Sequence, residues 1–238
     1  MSLSRASTAE WLKLRTLPAV TATALGTVAT AIALTAAIAA ASTVPISPSQ
    51  VIVATVPFLQ IGVILLGVLA AGSEYQGGQI HTTLTATPRR LIALAAKSLA
   101  CLVVVMITSA AAVGAGWCTA AITLSGRELA IANEADVRPM IGAAVYLVLI
   151  GSLAFATAAL LRSLIPPLVA MLSLVLVVSP LAGGLTEHAR WLPDQAGSLL
   201  YLADVDAVLT PAAGALVLLA WIAVTGTAAA VSFARRDA

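Results

Sequence analysis

The chain has 238 residues, of which 61% are hydrophobic and only 9% charged, with a formal net charge of +2 and a mean hydropathy of +1.05. Soluble domains carry roughly 25% charged residues, so this chain lacks the charge to cover a water-facing surface, and the water-soluble classes are excluded. Its long apolar segments have helical length and no ~10-residue alternating strands of the barrel kind occur, which predicts an all-α polytopic membrane protein.

In chain order, the first segment is Ala6 to Leu17, ASTAEWLKLRTL. Trp11, Leu12 and Leu14 alternate with Glu10, Lys13 and Arg15, and Ser7-Thr8 can supply a helix cap. Residues 1–16 are therefore expected to form an interfacial helix along the inner leaflet; the alternative is a basic flank that only sets topology. A single transmembrane domain follows over 17–238. The first span, Leu17–Ala41, is too long for the ~7–15-residue apolar core of a signal peptide, so it is expected to be retained despite the small-residue run AAIAAAS at its end. Gly26 and Thr30 suit close helix packing there.

The second span, Val51–Gly72, carries Thr55, Pro57 and Gln60 near mid-membrane. Gln60 is a candidate for the translocation path, or else an interhelical hydrogen bond worth about 0.6–2 kcal/mol. A polar segment then interrupts the apolar pattern from Ser73 to Arg90, SEYQGGQIHTTLTATPRR. A short helix is expected to begin near Ser73-Glu74, where an acidic residue favours a helix N-terminus. Tyr75, Ile80 and Leu84 offer apolar contacts among Gln76, Gln79 and Thr82, and Gly77-Gly78 permits a bend or a close approach.

Thr87-Pro88 predicts the cap and first turn of the third span, Leu91–Leu124. Its first two turns are expected to project beyond the membrane, with Lys97 snorkelling at the interface. Cys101 and Cys118 lie on this one helix, about 25 Å apart at ~1.5 Å per residue. They cannot pair and are expected to be small buried residues. The fourth span, Met140–Leu161, starts at Arg138-Pro139 and ends in a tight turn at Arg162-Ser163. The fifth, Pro166–Leu185, contains Pro166, Pro167 and Pro180, which either kink a gate or simply start and bend the helix. An external segment over 186–210, with Trp191, Leu199, Leu200 and Tyr201, is expected to rest on the interface as a short helix or to dip into it. The sixth span is Pro211–Ala234.

With the N-terminus inside, nine of the twelve basic residues fall on the inner side: Arg5, Lys13, Arg15, Arg89, Arg90, Lys97, Arg162, Arg235 and Arg236. Only Arg127, Arg138 and Arg190 fall outside. This asymmetry predicts six spans with both termini cytoplasmic, in the cell membrane. Trp11, Lys13, Arg15, Arg89, Arg90 and Lys97 are the expected interface anchors.

No G-x-x-x-x-G-K-[ST] loop is present to hold nucleotide phosphates. There is no soluble domain, no serine–histidine or paired-carboxylate constellation within the spans, and no metal-ligand spacing around His81 or His188. The span interiors hold no Asp, Glu, Arg or His, which disfavours proton coupling; sodium coupling through backbone carbonyls is less firmly excluded. Energy for any transport is therefore expected to enter from outside the membrane, which directs attention to the cytoplasmic loops, of which only the polar segment is substantial.

That segment carries a resemblance. SEYQGGQIHTTLTATPRRLIALAAK resembles the loop between spans two and three of ABC type-2 permeases, the membrane subunits of ATP-driven exporters. Members of the family tend to show S-E-Y-R-x-G-T-I-x-T-T-L-x-x-x-P-R-R followed by a lysine. Ser73, Glu74, Tyr75, one of Gly77 and Gly78, Ile80, Thr82, Thr83, Leu84, Pro88, Arg89, Arg90 and Lys97 fit that pattern. ASTAEWLKLRT is similar to the family's E-W-x-K-L-R-T start, and Arg235-Arg236-Asp237 to its R-R-D end. Gln76 stands where arginine is common and Gln79 where threonine is common. The first change removes a guanidinium fork able to pair with a partner's carboxylate.

The resemblance implies a coupling segment over 73–90 that docks on a separate ATPase. Glu74, Tyr75, Gln76, Gly77, Gly78, Gln79, Ile80 and Leu84 would be its docking residues. Two ATPase copies would bind ATP and Mg, this chain would bind no cofactor and have no catalytic site, and a second permease copy or a homologue would complete the path. Spans two and five would lie at the central interface. Nucleic acid is not among the expected partners. An apolar path suits hydrophobic or amphipathic cargo such as drugs, antibiotics, peptides or lipids, and export is expected from the family rather than from the residues. Two other readings stay open: a self-sufficient six-span transporter or channel, and a membrane anchor for a soluble partner.

Overall fold

The computed structural model describes residues 3–76, 90–125, 137–202 and 208–235, and the described residues contain helices and turns but no strand. The helices are α1 (Leu3–Thr16), α2 (Pro18–Ala41), α3 (Pro48–Gln76), α4 (Arg90–Ser125) and α5 (Arg138–Leu161). After them come α6 (Ile165–Leu185), a 3₁₀ turn (Glu187–Trp191), α7 (Pro193–Ser198) and α8 (Pro211–Arg235). Six of these, α2 to α6 and α8, are long and apolar enough to cross a membrane, because each supplies the ~20 residues that ~30 Å of hydrocarbon requires.

Proline placement starts several of them. It sits in the first turn of α2, α5 and α6, where its missing N–H has no intrahelical partner to lose. Leu17, held extended by the proline that follows (φ −72, ψ 117), separates α1 from α2 for the steric reason that disfavours helical backbone before proline. The helix expected to begin near Ser73-Glu74 is, as far as it is described, the end of α3. α3 continues from its membrane-length part, Pro48–Gly72, without interruption through Gln76.

The spans alternate in direction, so two ends can be distinguished. One, the α1 end, gathers the starts of α2, α4 and α6 with the ends of α3, α5 and α8. There, a Cβ placed on Gly72 would touch Ser163 and Leu164, and Arg162 reaches the last turn of α8. α1 packs mainly on α4 and touches α2, burying Leu14 and half-burying Trp11, while Leu12 stays exposed.

α3 and α5 form the centre. Their membrane-length windows are 61% and 56% buried, against 17–22% for α2, α6 and α8. Gly67 makes this closeness possible, since a side chain there would fall onto the carbonyl oxygen of Gly151 in α5. On α2 the packing stripe is Thr27, Ala31, Thr35 and Ala39. Gly62 of α3 seats against Thr27, whereas Gly26 has open space around it and Thr30 is exposed. The packing face therefore lies one residue beyond the expected one, since the four-residue stripe from Thr27 meets α3 at Gly62 and α4 at Gly116 and Ala120.

The tight turn after α5 is made by Arg162, in left-handed conformation at φ 50. In α6, regular helix gives way to a π-helical turn over Leu174–Val178, just before Pro180. A proline here lacks the N–H for the carbonyl four residues back and would collide with it, and a wider turn accommodates both problems. Pro166 and Pro167 only start the helix.

The stretch after α6 dips into the bundle. Thr186 caps the 3₁₀ turn, its hydroxyl accepting from the His188 N–H at 3.3 Å. α7 then lies between α5 and α8. Three glycines permit it: side chains at Gly142 of α5 and Gly214 of α8 would collide with the Leu200 and Ala196 carbonyls, and one at Gly197 would lie 2.6 Å from the Tyr146 ring. The Trp221 indole N–H donates to the Trp191 carbonyl at 3.0 Å, fastening the turn partway along α8.

Candidate functional site

The polar segment that carries the resemblance is only partly described. Glu74, Tyr75 and Gln76 form the last turn of α3, and Arg90 opens α4. The docking expectations for Gly77, Gly78, Gln79, Ile80 and Leu84, the cap at Thr87-Pro88 and the anchor role of Arg89 lie outside the described residues. Of the other anchors, Lys13 and Lys97 are half-buried on α1 and α4, and Arg15 is exposed.

The three residues expected near a path do not share a face. Thr55 is fully buried, and its hydroxyl donates to the Ile52 carbonyl of its own helix at 2.7 Å. Gln60 is also buried, accepting the Tyr146 hydroxyl at its Oε1 at 2.5 Å. Pro57 lies on the other side of α3, exposed with Phe58 and Ile61. The 3.6-residue turn places position 57 about 160° from position 55, so spacing alone could not unite them. Gln60 is an interhelical strut between α3 and α5, and Thr55 satisfies itself within its helix. Cys118 is exposed rather than buried, and Cys101 is buried.

The structure brings together a different polar set. From the Gln60–Tyr146 bond, the Tyr146 ring meets Tyr201 at a centroid distance of 5.2 Å and a tilt of 48°. Beyond Tyr201 lies Asp194, only 8% exposed, and beside it the fully buried Ser179 of α6. Burial pushes the Asp194 carboxyl above its ordinary range, while the Ser179 hydroxyl and the N–H groups of Asp194 and Gln195 pull the other way. Ser179 lies close enough to act on the carboxyl, yet neither its Oγ nor Asp194 Oδ1 completes a hydrogen bond of ordinary geometry. Burial, and then the Asp194 charge, push the Tyr201 hydroxyl well up. Four elements thus hold one buried line of polar groups: α3, α5, the re-entrant turn and α6. The sequence signals for it were the glycines one turn or less inside both flanking spans, Gly142 and Gly214, with Gly197 between them.

An apolar groove of about 720 Å³ runs between α4, α5 and α8, with Leu99, Leu102, Leu149, Phe155, Leu219 and Ile222 among its walls. Among the described residues no group of His, Cys, Asp or Glu is placed to hold a metal ion. No protein-family model matches the chain, and no curated protein matches it either.

Proposed function

We propose that the chain is the permease subunit of an ABC exporter, forming the path for a hydrophobic or amphipathic substrate and coupled to ATP hydrolysis by a separate ATPase. In this reading the α1 end faces the cytoplasm of a cell-membrane protein, as the distribution of basic residues favours. Two ATPase copies dock there, and a second permease copy or a homologue completes the path.

One observation carries the reading. α3 is unbroken from Pro48 to Gln76, so the start of the S-E-Y motif is the end of a membrane-length helix. A force applied at Glu74 or Tyr75 would act on the backbone of the most buried span, with no hinge between, as rigid-body coupling requires. The close fit of Gly72 against Ser163 and Leu164 would pass the same motion to the start of α6.

Co-expression with a candidate P-loop ATPase tests this. The two should co-purify, and Glu74→Arg should abolish the association and the stimulation of ATP hydrolysis. Unchanged binding by that variant would remove the docking assignment. Solute transport by the chain alone in liposomes without ATP would instead establish a self-sufficient transporter, a reading that the buried Asp194 favours. A bound ATPase that hydrolyses ATP without export would establish an anchor.

A further inference from the structure

The spans themselves hold no acid in their interiors, but the re-entrant turn carries one inward. Gly197 seats on Tyr146 and Leu218, eight and seven residues inside the ends of α5 and α8, and Ser179 is six residues inside the end of α6. At ~1.5 Å per residue these positions lie about 9–12 Å below the helix ends. Asp194 is therefore a titratable group set among span residues, which no count of charges along the chain reveals.

Among the described residues, its surroundings offer no compensating charge. α5 presents the Tyr146 hydroxyl, already donated to Gln60, and its Arg138 stands eight residues before Tyr146, about 12 Å along the helix axis from it. α6 presents Ser179, and the turn after α7 presents Tyr201. The part of α8 against which α7 packs, from Pro211 to Trp221, holds no charged side chain. On the 3₁₀ turn, Glu187 and His188 are exposed and Arg190 is half-buried. Among the described residues no basic group shifts the Asp194 carboxyl, and the buried Arg190 Nε makes no hydrogen bond. What remains is a carboxyl oxygen and a serine hydroxyl, both buried, adjacent and unpartnered. A carboxylic acid beside a hydroxyl can satisfy both groups when it carries a proton, since the acid O–H donates to Ser179 Oγ. Without the proton the carboxylate keeps only the Ser179 hydroxyl and the Asp194 and Gln195 N–H groups in its favour, and its burial outweighs them.

We propose that Asp194 and Ser179 form a proton-binding site at membrane depth, and that the bound proton latches the re-entrant turn onto α6. Loss of the proton to the aqueous phase at that end leaves the carboxylate to seek water, and the turn lifts out of the bundle. Folding raises the affinity of Asp194 for its proton, so the latched form holds at low pH and is lost as pH rises through the folded-state pKa. The inference needs neither an ATPase nor a transported solute, so it stands or falls separately from the permease reading.

Hydrogen–deuterium exchange of the purified full chain in nanodiscs, followed over residues 189–202, tests it. After correction for the intrinsic rate, protection should fall as pH is raised from about 4 to 8. Asp194→Asn, a neutral isostere, should hold the turn protected at every pH. Ser179→Ala, which removes the acceptor while leaving the acid, should lower protection at acid pH by roughly 3–10-fold, the factor of one hydrogen bond. Protection independent of pH in the unaltered chain would overturn the proposal. So would the same pH step in Asp194→Asn, or full acid protection in Ser179→Ala.

Discussion

The Arg162 guanidinium lies over the Phe233 ring, 5.4 Å from its centroid, while Nη2 donates to the neighbouring Ser232 carbonyl at 2.8 Å. One side chain thus joins the α5–α6 turn to the last turn of α8, two elements seventy residues apart in sequence. Because Arg162 holds φ 50, its contacts must also offset the ~1–2 kcal/mol that left-handed backbone costs a residue with a Cβ. Arg162→Ala should therefore destabilise the fold by about 1–3 kcal/mol, through loss of the ring contact and the charged hydrogen bond. Arg162→Gly loses the same contacts but relieves the backbone, so it should be the more stable of the two by about 1 kcal/mol. Thermal unfolding of both variants in one detergent decides the order.

The Gln60–Tyr146 bond should show a coupling of about 0.6–1.7 kcal/mol in a double-mutant cycle of Gln60→Ala and Tyr146→Phe, the range measured for hydrogen bonds between membrane helices. Denaturation by a graded detergent mixture would measure it. A coupling near zero, with altered transport in Gln60→Ala, would return Gln60 to the path.

Gly67 and Gly26 make a matched pair of tests on small residues. A methyl at Gly67 would meet the Gly151 carbonyl, whereas one at Gly26 would meet nothing. Gly67→Ala should lower stability by about 1–3 kcal/mol or more through overpacking. Gly26→Ala should raise it by about 0.5–1 kcal/mol through helix propensity. Equal melting temperatures for the two would contradict the close contact of α3 and α5.

The raised Asp194 carboxyl has a thermodynamic consequence. Between the unfolded and folded pKa values the native state holds the proton more often than the unfolded chain does. Stability contributed by this group is therefore present at low pH and declines as pH rises through the folded-state value. A melting-temperature profile against pH should lose this slope in Asp194→Asn, and an unaltered slope would assign it to another group.

Span number was legible in the sequence because a membrane imposes a length and a polarity on each crossing, and Leu17–Ala41 or Met140–Leu161 satisfy both without reference to neighbours. Between the fifth and sixth spans the sequence allows a short helix that rests on the interface or dips into it, and does not decide between them. Glu187, His188, Arg190 and Asp194 gave that stretch an external composition, and only tertiary packing around Gly142, Gly197 and Gly214 draws Asp194 inward. The partner of Gln60 was hidden for a related reason, since Tyr146 is 86 positions away and no local pattern relates them. Gly26 and Thr30 are expected to pack because they are small or hydroxyl-bearing, and that criterion fits Thr27 as well, so it cannot decide which of Gly26 and Thr27 meets α3.

The π-helical turn in α6 has an angular consequence. The residues that α6 buries are Pro167, Met171, Val175 and Ser179, each four beyond the last. In a regular helix every such step overshoots a full rotation by about 40°, so three steps would swing Ser179 roughly 120° away from the line of Pro167. The wide turn absorbs part of that drift, keeping the stripe aimed at the bundle and the Ser179 hydroxyl at Asp194. Removing a single residue from 174–178 would restore ordinary pitch and leave Ser179 eleven residues beyond Pro167, only about 20° off its line. The distal helix would then present the same side to the carboxyl, so the wide turn holds one extra residue without turning Ser179 away from Asp194.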